Sequence, residues 1–261
     1  MAGGHIVFDI ETEPKGLDEL KAIHGPFDPV SKLGPMPGEF DPSSVKLGNL
    51  KDQAKIAEKI EAARVAHVER AANYNRDLAD CEQSYWASVV QNAALCATTG
   101  RVVAIGYKSA TKSTLLTVDE CSETQLVSHF WTQFSALRKA GRRMIGFYSN
   151  SFDVPFLARR AWMLGVPVPN EALTPTGWLD STFVDLMARW QFGNKRDSIK
   201  LGEACRALGI GDKPQGEDAV TGATFYEHFR SGDAEKKAKA LYYLANDLDM
   251  TWGMAERLGV L

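Results

Sequence analysis

Residues 5–12, HIVFDIET, place two acids inside an otherwise apolar strand pattern. Because successive side chains of a β-strand point to opposite faces, one face carries Ile6, Phe8 and Ile10, and the other carries Val7, Asp9 and Glu11. Carboxylates buried without a partner cost several kcal/mol, so a cationic group should meet Asp9 and Glu11. A divalent metal is one such group, because hard Mg²⁺ and Mn²⁺ prefer oxygen ligands. The alternative is an edge strand with both acids in water.

The composition indicates an ordinary globular protein. Of the 261 residues, 44% are hydrophobic and 24% are charged, enough to build a sizeable core. No apolar run approaches the roughly 20 residues that cross a bilayer. The N-terminal sequence MAGGHIVFDIETEP lacks the basic region, apolar run and cleavage pattern of a signal peptide. We therefore expect a cytoplasmic protein that does not associate with membranes.

Cysteine and histidine spacings give little support to a zinc site. The cysteines form no CxxC pair, and the histidines form no HExxH or HxH arrangement. The net charge of −3 excludes a globally basic nucleic-acid binder but not a local basic surface. Basic doublets occur at Arg142-Arg143, Arg159-Arg160, Lys195-Arg196 and Lys236-Lys237. For each doublet alone, solvated surface charge is the favoured interpretation.

Two composition changes follow the first strand. Residues 16–48 are rich in Pro and Gly, as in GPFDP and KLGPMPGEFDP, and indicate a long surface loop. Residues 50–94 are rich in Ala, Glu, Lys and Arg without Gly or Pro, which predicts a helical insertion broken into two helices near Asn73–Asn75. Its charges balance, which favours a solvated hairpin or arm over a phosphate-binding surface.

The rest of the chain alternates strand and helix patterns. Strands are predicted at Arg101–Tyr107, Thr114–Val118, Met144–Phe147 and Thr182–Leu186. Helices are predicted at Glu123–Ala140, from Asp153 onward, at Ile199–Leu208 and at Ala234–Leu258. This order predicts a single α/β domain over residues 1–261, built around one mixed sheet.

Further acids stand in patterns that allow a metal site. Asp153 precedes Val154-Pro155 and a helical run, so it is also a natural helix N-cap, and the two roles are compatible. Tyr243 and Asp247 are four residues apart in a helix and should share a face, while Asp249 should point elsewhere. A half-exposed amphipathic face is the alternative there. Tyr242 is a rival for the tyrosine position, with a spacing that fits less well.

Three segments in order carry a family resemblance: VFDIET at 7–12, GFYSNSFDVPFLARR at 146–160 and YYLANDLDMTWGMAERL at 242–258. They resemble the three exonuclease motifs of the DEDD superfamily, in its tyrosine-containing branch. The nearest likeness is to predicted exonucleases related to the proofreading domain of family B DNA polymerases. The segments KLGNLKDQAKIAEKI, TGRVVAIGY and SIKLGEACRALGI also fit, so the resemblance covers almost the whole chain.

This resemblance implies a ribonuclease H-like α/β fold, with a central mixed β-sheet flanked by helices, plus the inserted helical segment. It implies two divalent metal ions, Mg²⁺ or Mn²⁺, held by Asp9, Glu11, Asp153 and Asp247. Tyr243 would orient the attacking water, and Thr12 would lie near the terminal nucleotide.

Similar enzymes release nucleoside 5′-monophosphates from a free 3′ end. The substrate implied is single-stranded DNA, and a polymerase or another replication or repair protein as partner is left open. Two alternatives remain: a 3′→5′ exoribonuclease, and a catalytically silent nucleic-acid-binding module with the same fold. One position departs from the family pattern, because Tyr148 stands where an asparagine is common. That asparagine is not a metal ligand in the family.

Overall fold

The computed structural model describes residues 4–173, 183–213, 216 and 219–261. The chain forms two compact units, one comprising the chain up to Lys15 together with Ala93–Leu261, and the other comprising Gly16–Asn92. No helix in the described ranges is long and apolar enough to cross a membrane.

The described residues of the larger unit form a five-stranded sheet. Its strands are β1 (Ile6–Pro14), β2 (Gly100–Lys108), β3 (Ser113–Thr117), β4 (Met144–Gly146) and β5 (Phe183–Asp185). They lie in the order β3-β2-β1-β4-β5. The β1–β2 and β2–β3 pairs are antiparallel, whereas the β1–β4 and β4–β5 pairs are parallel, which confirms the predicted mixed sheet. Of the strand predicted at Thr182–Leu186, Thr182 lies outside the described residues.

In the smaller unit, the stretch predicted as a surface loop contains helices α1 (Leu17–His24) and α2 (Pro29–Leu33), followed by a 3-10 turn at Pro42–Ser44. The loop prediction was wrong because two Asp-Pro pairs begin helical turns there. The Asp28 and Asp41 side chains accept backbone N–H groups, and each following proline sits where a helix needs no N–H donor.

Helix α3 (Gln53–Ala93) runs without interruption for 41 residues. The predicted break near Asn73–Asn75 was therefore wrong. Asparagine in a helix interior costs less than about 1 kcal/mol, and no Gly or Pro interrupts the stretch. Between the two asparagines, the buried Tyr74 donates its hydroxyl to the Gly34 carbonyl at 3.0 Å. The smaller unit starts at Gly16, ahead of the insertion predicted at about 50–94.

Within the described ranges, the larger unit contains six further α-helices. They are α4 (Glu123–Lys139), α5 (Asp153–Leu164), α6 (Leu186–Gln191), α7 (Leu201–Ala207), α8 (Phe225–Arg230) and α9 (Ala234–Arg257). The sequence patterns did not predict α6 or α8, which are only six residues each. Helices α4 and α5 pack on one face of the sheet, and α7 and α9 pack on the other. This arrangement confirms the α/β class.

The alternation of β1 separates two apolar clusters. Phe8 and Ile10 belong to the cluster on the α4 and α5 side, whereas Val7 packs with residues of α7 and α9. Aromatic rings dominate the first cluster: Phe8 lies 5.2 Å from Phe130, and Phe134 lies 5.0 Å from Phe183, between ring centroids. Asp9 and Glu11 therefore lie on the Val7 side of the sheet, as their spacing predicted.

One of the basic doublets contains a structural arginine. Arg160 is 4% exposed, and its guanidinium makes two bonds to the Glu123 carboxylate, at 2.7 and 2.6 Å. It also donates to the Ala97 carbonyl at 3.0 Å. Solvated surface charge was therefore the wrong interpretation for Arg160, since a buried guanidinium is tolerated only when its donors are paired in this way.

Replacing Phe134 by alanine tests the aromatic core. Phe134 is 1% exposed and stacks on Phe183, so Phe134→Ala should lower the free energy of unfolding by about 3–5 kcal/mol in urea titrations. The matched control is Phe192→Ala, because Phe192 is 97% exposed and its truncation should change that free energy by less than about 0.5 kcal/mol. Similar losses in the two variants would contradict this core assignment.

Candidate active site

Strand β1 brings Asp9 and Glu11 to the middle of the sheet. Glu11 is 6% exposed and Asp9 is partly buried. The pairing of β1 with β2 shifts register between Glu11 and Thr12, so the strand is irregular directly after Glu11. Because β1 lies between β2 and β4, the edge-strand alternative for these acids was wrong.

Asp153 joins these acids from helix α5. It is 4% exposed, and its Oδ1 accepts the backbone N–H of Ile10 at 3.2 Å, between the two acidic positions of β1. The helix-cap interpretation was wrong, because Asp153 is the first helical residue and the cap position, Phe152, makes no side-chain cap bond. The carboxylate therefore binds strand β1 in addition to its own backbone N–H.

Helix α9 presents Tyr243 and Asp247 on its buried face. They are 8% and 6% exposed. The side chain of Asp249 is 61% exposed and forms an ion pair with Lys108 at 2.8 Å. Tyr242 is 62% exposed. Helical spacing thus places Tyr243 and Asp247 on the buried face of α9 and leaves Tyr242 and Asp249 exposed, as predicted.

A lysine that sequence reasoning missed lies against this pair. The Lys213 ammonium donates to Asp247 Oδ2 at 2.6 Å and to the Tyr243 hydroxyl at 2.9 Å. It also lies 4.4 Å from the centroid of the Tyr243 ring. Nothing in the surrounding sequence, GIGDKPQG, distinguishes this lysine from a surface one.

The acids influence one another through their charges. Burial raises the pKa of Asp9 well above its usual range, and the charges of Asp153 and Asp247 raise it further. The pKa of Glu11 is raised in the same way, first by burial and then by Asp9 and Asp247. Burial raises the pKa of Asp153 to about 7. Burial also raises the pKa of Asp247, while Lys213 opposes that rise. Four carboxylates therefore share a poorly solvated site.

Comparison with known proteins gives the family. A sequence profile described as RNase_H superfamily, RNase_H_2, matches residues 94–259. The chain belongs to the RNase H superfamily. The match contains Asp153, Tyr243 and Asp247, and it begins after β1 and the smaller unit.

The solved structures that are similar to this RNase H superfamily chain include the family B DNA polymerase from the hyperthermophilic archaeon Pyrobaculum calidifontis. The two are 22% identical with a TM-score of 0.48, over 61% of this chain and 22% of the polymerase chain. No curated protein matches the chain.

The donor set fits hard divalent cations in chemistry and charge. All four acids offer oxygen ligands, and Asp247 Oδ1 is buried without any hydrogen-bond partner. Across the described ranges, however, no three His, Cys, Asp or Glu side chains already stand where they could hold an ion together. Since Lys213 binds the other oxygen of Asp247, a cation at this carboxylate would have to compete with an ammonium.

Thr12 lies close in sequence but is engaged elsewhere. Its side chain is 8% exposed, and its hydroxyl donates to the Ala94 carbonyl at 2.8 Å. No described contact joins that hydroxyl to the acids. A substrate contact at Thr12 would therefore have to come from its backbone or displace this bond.

Tyr148, the departure from the family pattern, has a backbone φ of 60°. This left-handed conformation is unfavourable for most L-residues, and asparagine tolerates it better than tyrosine. The backbone conformation at position 148 therefore suits asparagine, the residue common in the DEDD motif, better than it suits tyrosine.

Replacing Tyr148 by asparagine should relieve this strain. Tyr148→Asn should raise the free energy of unfolding by about 1 kcal/mol in urea titrations, because Tyr148 is 49% exposed and little packing is lost. Tyr148→Ala is the matched control, since alanine removes the same ring but keeps the strain. A stability gain in alanine equal to that in asparagine would refute the strain argument.

Stability should depend on pH through Asp153. An acid whose native pKa is raised binds more protons folded than unfolded, so it lowers stability as pH rises from its unfolded value, about 4, toward about 7. In EDTA, the Tm of Asp153→Asn relative to the wild type should therefore be higher at pH 8 than at pH 5. Asp249→Asn, at the exposed acid, serves as control. Parallel pH profiles for wild type and Asp153→Asn would exclude this effect.

Proposed function

We propose that this RNase H superfamily chain is a metal-dependent 3′→5′ exonuclease that releases nucleoside 5′-monophosphates from single-stranded DNA. The observation that carries the proposal is that four buried or partly buried acids from β1, α5 and α9 lie near enough for their charges to raise the pKa values of Asp9 and Glu11, beside a buried tyrosine. RNase H-like nucleases generally use divalent metals, and the raised pKa values of these acids indicate negative charge that a cation would compensate. The three motifs occur in the order that resembles the DEDD exonucleases, and this supports cleavage in the 3′→5′ direction.

The four acids and Tyr243 have different proposed roles. Asp9, Glu11, Asp153 and Asp247 would hold the cations. Bound divalent ions would supply positive charge that activates an attacking water and stabilises the leaving oxygen of the phosphodiester. Burial and the charges of Asp247, Glu11 and Asp9 raise the pKa of Tyr243 far above its usual value. Tyr243 therefore stays protonated and would orient the water by hydrogen bonding rather than remove its proton.

A cavity next to the acids supports binding of a nucleic-acid strand. It measures about 610 Å³, which is within the range of small-molecule sites. Phe147 and Tyr148 offer aromatic faces on which bases could stack. The basic side chains of Arg206 and Lys213 line the same cavity together with the acids Glu203 and Asp212, and Arg206 is paired with Asp212 at 2.8 Å. Lys213 connects the cavity to the acids, because it also binds Asp247.

The placement of Lys213 also favours a second candidate, a catalytically silent nucleic-acid-binding module. Its ammonium bonds to both Asp247 and Tyr243, as a permanent internal cation would. In such a module, metal would be neither bound nor needed, and the cavity alone would serve the strand. The two candidates differ in a measurable way, because only the first requires metal.

The deciding experiment uses 5′-labelled single-stranded DNA with Mg²⁺, Mn²⁺ or EDTA. We expect a product ladder that shortens from the 3′ end only with metal, and that a blocked 3′ end prevents. RNA of the same sequence is run in parallel, and its preferential degradation would make the enzyme an exoribonuclease. If fluorescence anisotropy shows binding and no substrate is cleaved, the exonuclease proposal is rejected in favour of the catalytically silent module.

Two aspartates of helix α9 provide a matched pair of variants. Asp247→Asn should reduce the cleavage rate more than about 100-fold, because even outer partners of metal ligands contribute 10–100-fold. Asp249→Asn removes the same charge two residues away, at an exposed position, and should cleave at the wild-type rate. Equal activity of the two variants would disprove the assigned role of Asp247.

A further inference from the structure

Asp185 is a buried acid that lies outside the three motifs. It ends strand β5, precedes helix α6 and is 2% exposed. The sequence contains no pattern that separates it from an ordinary helix cap.

Its carboxylate does more than cap the helix. Oδ1 accepts the N–H groups of Met187 at 2.9 Å and Ala188 at 3.4 Å, which is the ordinary capping role. The same Oδ1 also accepts the Tyr148 N–H at 2.9 Å, and Oδ2 accepts the Asn150 N–H at 3.0 Å. One side chain therefore binds both α6 and the loop formed by residues 147–152, here called the motif loop.

Sheet register explains how Asp185 reaches this loop. Gly146 of β4 lies opposite Asp185 of β5, at the position where the chain leaves β4 and enters the motif loop. The loop ends directly at Asp153, whose carboxylate binds the Ile10 amide. Movement of the loop would therefore move Asp153.

The motif loop is a strained segment that needs such support. Tyr148 is in the left-handed conformation. The chain turns back so tightly that a Cβ added at Gly146 would lie 2.5 Å from Ser149 Cβ. Ser149 Oγ and Asn150 Oδ1 are buried without hydrogen-bond partners, so these side-chain oxygens do not stabilise the loop.

We propose that Asp185 is a positioning residue, whose two carboxylate oxygens hold the motif loop so that Asp153 stays beside Asp9 and Glu11. Only a carboxylate offers two acceptor oxygens and no donor, which is what two loop amides and a helix end require. Serine or asparagine would still cap α6 but could not hold both loop amides. The inference rests on the proposed function in one respect, that these acids bind divalent cations.

The test separates capping from holding the loop. Asp185→Ser keeps a capping oxygen but is too short to bind the loop, and Asp185→Asn replaces one acceptor oxygen with a donor. The matched control is Asp233→Ser, because the Asp233 side chain accepts the N–H groups of Glu235 and Lys236 at the start of its own helix α9. Each variant is studied at a temperature where circular dichroism shows it folded.

We expect the Mn²⁺ affinity of Asp185→Ser, measured by calorimetry, to fall about 10- to 100-fold, with a similar fall in kcat and little change in KM for the oligonucleotide. Asp185→Asn should show the same pattern with a smaller loss, and it decides the question if the serine variant does not fold. Asp233→Ser should bind Mn²⁺ and cleave like the wild type. A merely structural role would lower Tm in both serine variants and leave Mn²⁺ affinity unchanged.

Wild-type Mn²⁺ affinity in folded Asp185→Ser would overturn the inference, as would equal losses in Asp233→Ser. If the wild type binds Mn²⁺ but cleaves nothing, the exonuclease proposal fails while the calorimetric comparison still tests Asp185. If the wild type cleaves and Asp185→Ser matches it, the inference alone fails. A wild type that neither binds Mn²⁺ nor cleaves overturns both.

Discussion

The hydrogen bond between the Ile10 amide and the Asp153 carboxylate joins the central strand to helix α5, and the candidate site depends on it. In the described chain, the parallel ladder of β1 with β4 runs only over Ile6 and Val7, so β1 continues past the end of its neighbour. A buried amide there needs an acceptor, and Asp153 supplies one from the first turn of α5. The same bond brings a third acid to the strand that carries two.

This arrangement has a free-energy cost that appears in several places around it. Burial raises the pKa values of Asp9 and Glu11, and the charges of neighbouring acids raise them further. Tyr148 adopts a left-handed backbone, and buried oxygens of Ser149, Asn150 and Asp247 have no hydrogen-bond partner. Strain and unpaired polar atoms that concentrate in one region indicate a site selected for binding rather than stability.

Local periodicity predicted much of this site, whereas contacts between distant segments could not be predicted. Alternation along β1 and the four-residue spacing of Tyr243 and Asp247 depend only on strand and helix geometry. Lys213 reaches Asp247 across 34 residues, and Asp185 reaches Tyr148 across 37. Those contacts follow from strand order and loop closure, which no local pattern encodes. The helices within residues 16–48 were missed for a different reason, since Asp-Pro pairs begin turns and helices alike.

Charge balance distinguishes the two functions considered for this site. One lysine ammonium can neutralise at most one carboxylate, whereas four acids converge here, and two divalent cations would carry enough charge for all of them. A silent module would gain nothing from the remaining acids and would be more stable with apolar side chains in their place. Lys213 leaves Asp247 Oδ1 without a partner, so the ammonium does not complete the site even at the carboxylate it binds. The excess of buried acid over base therefore favours metal-dependent chemistry over a lysine-neutralised binding surface.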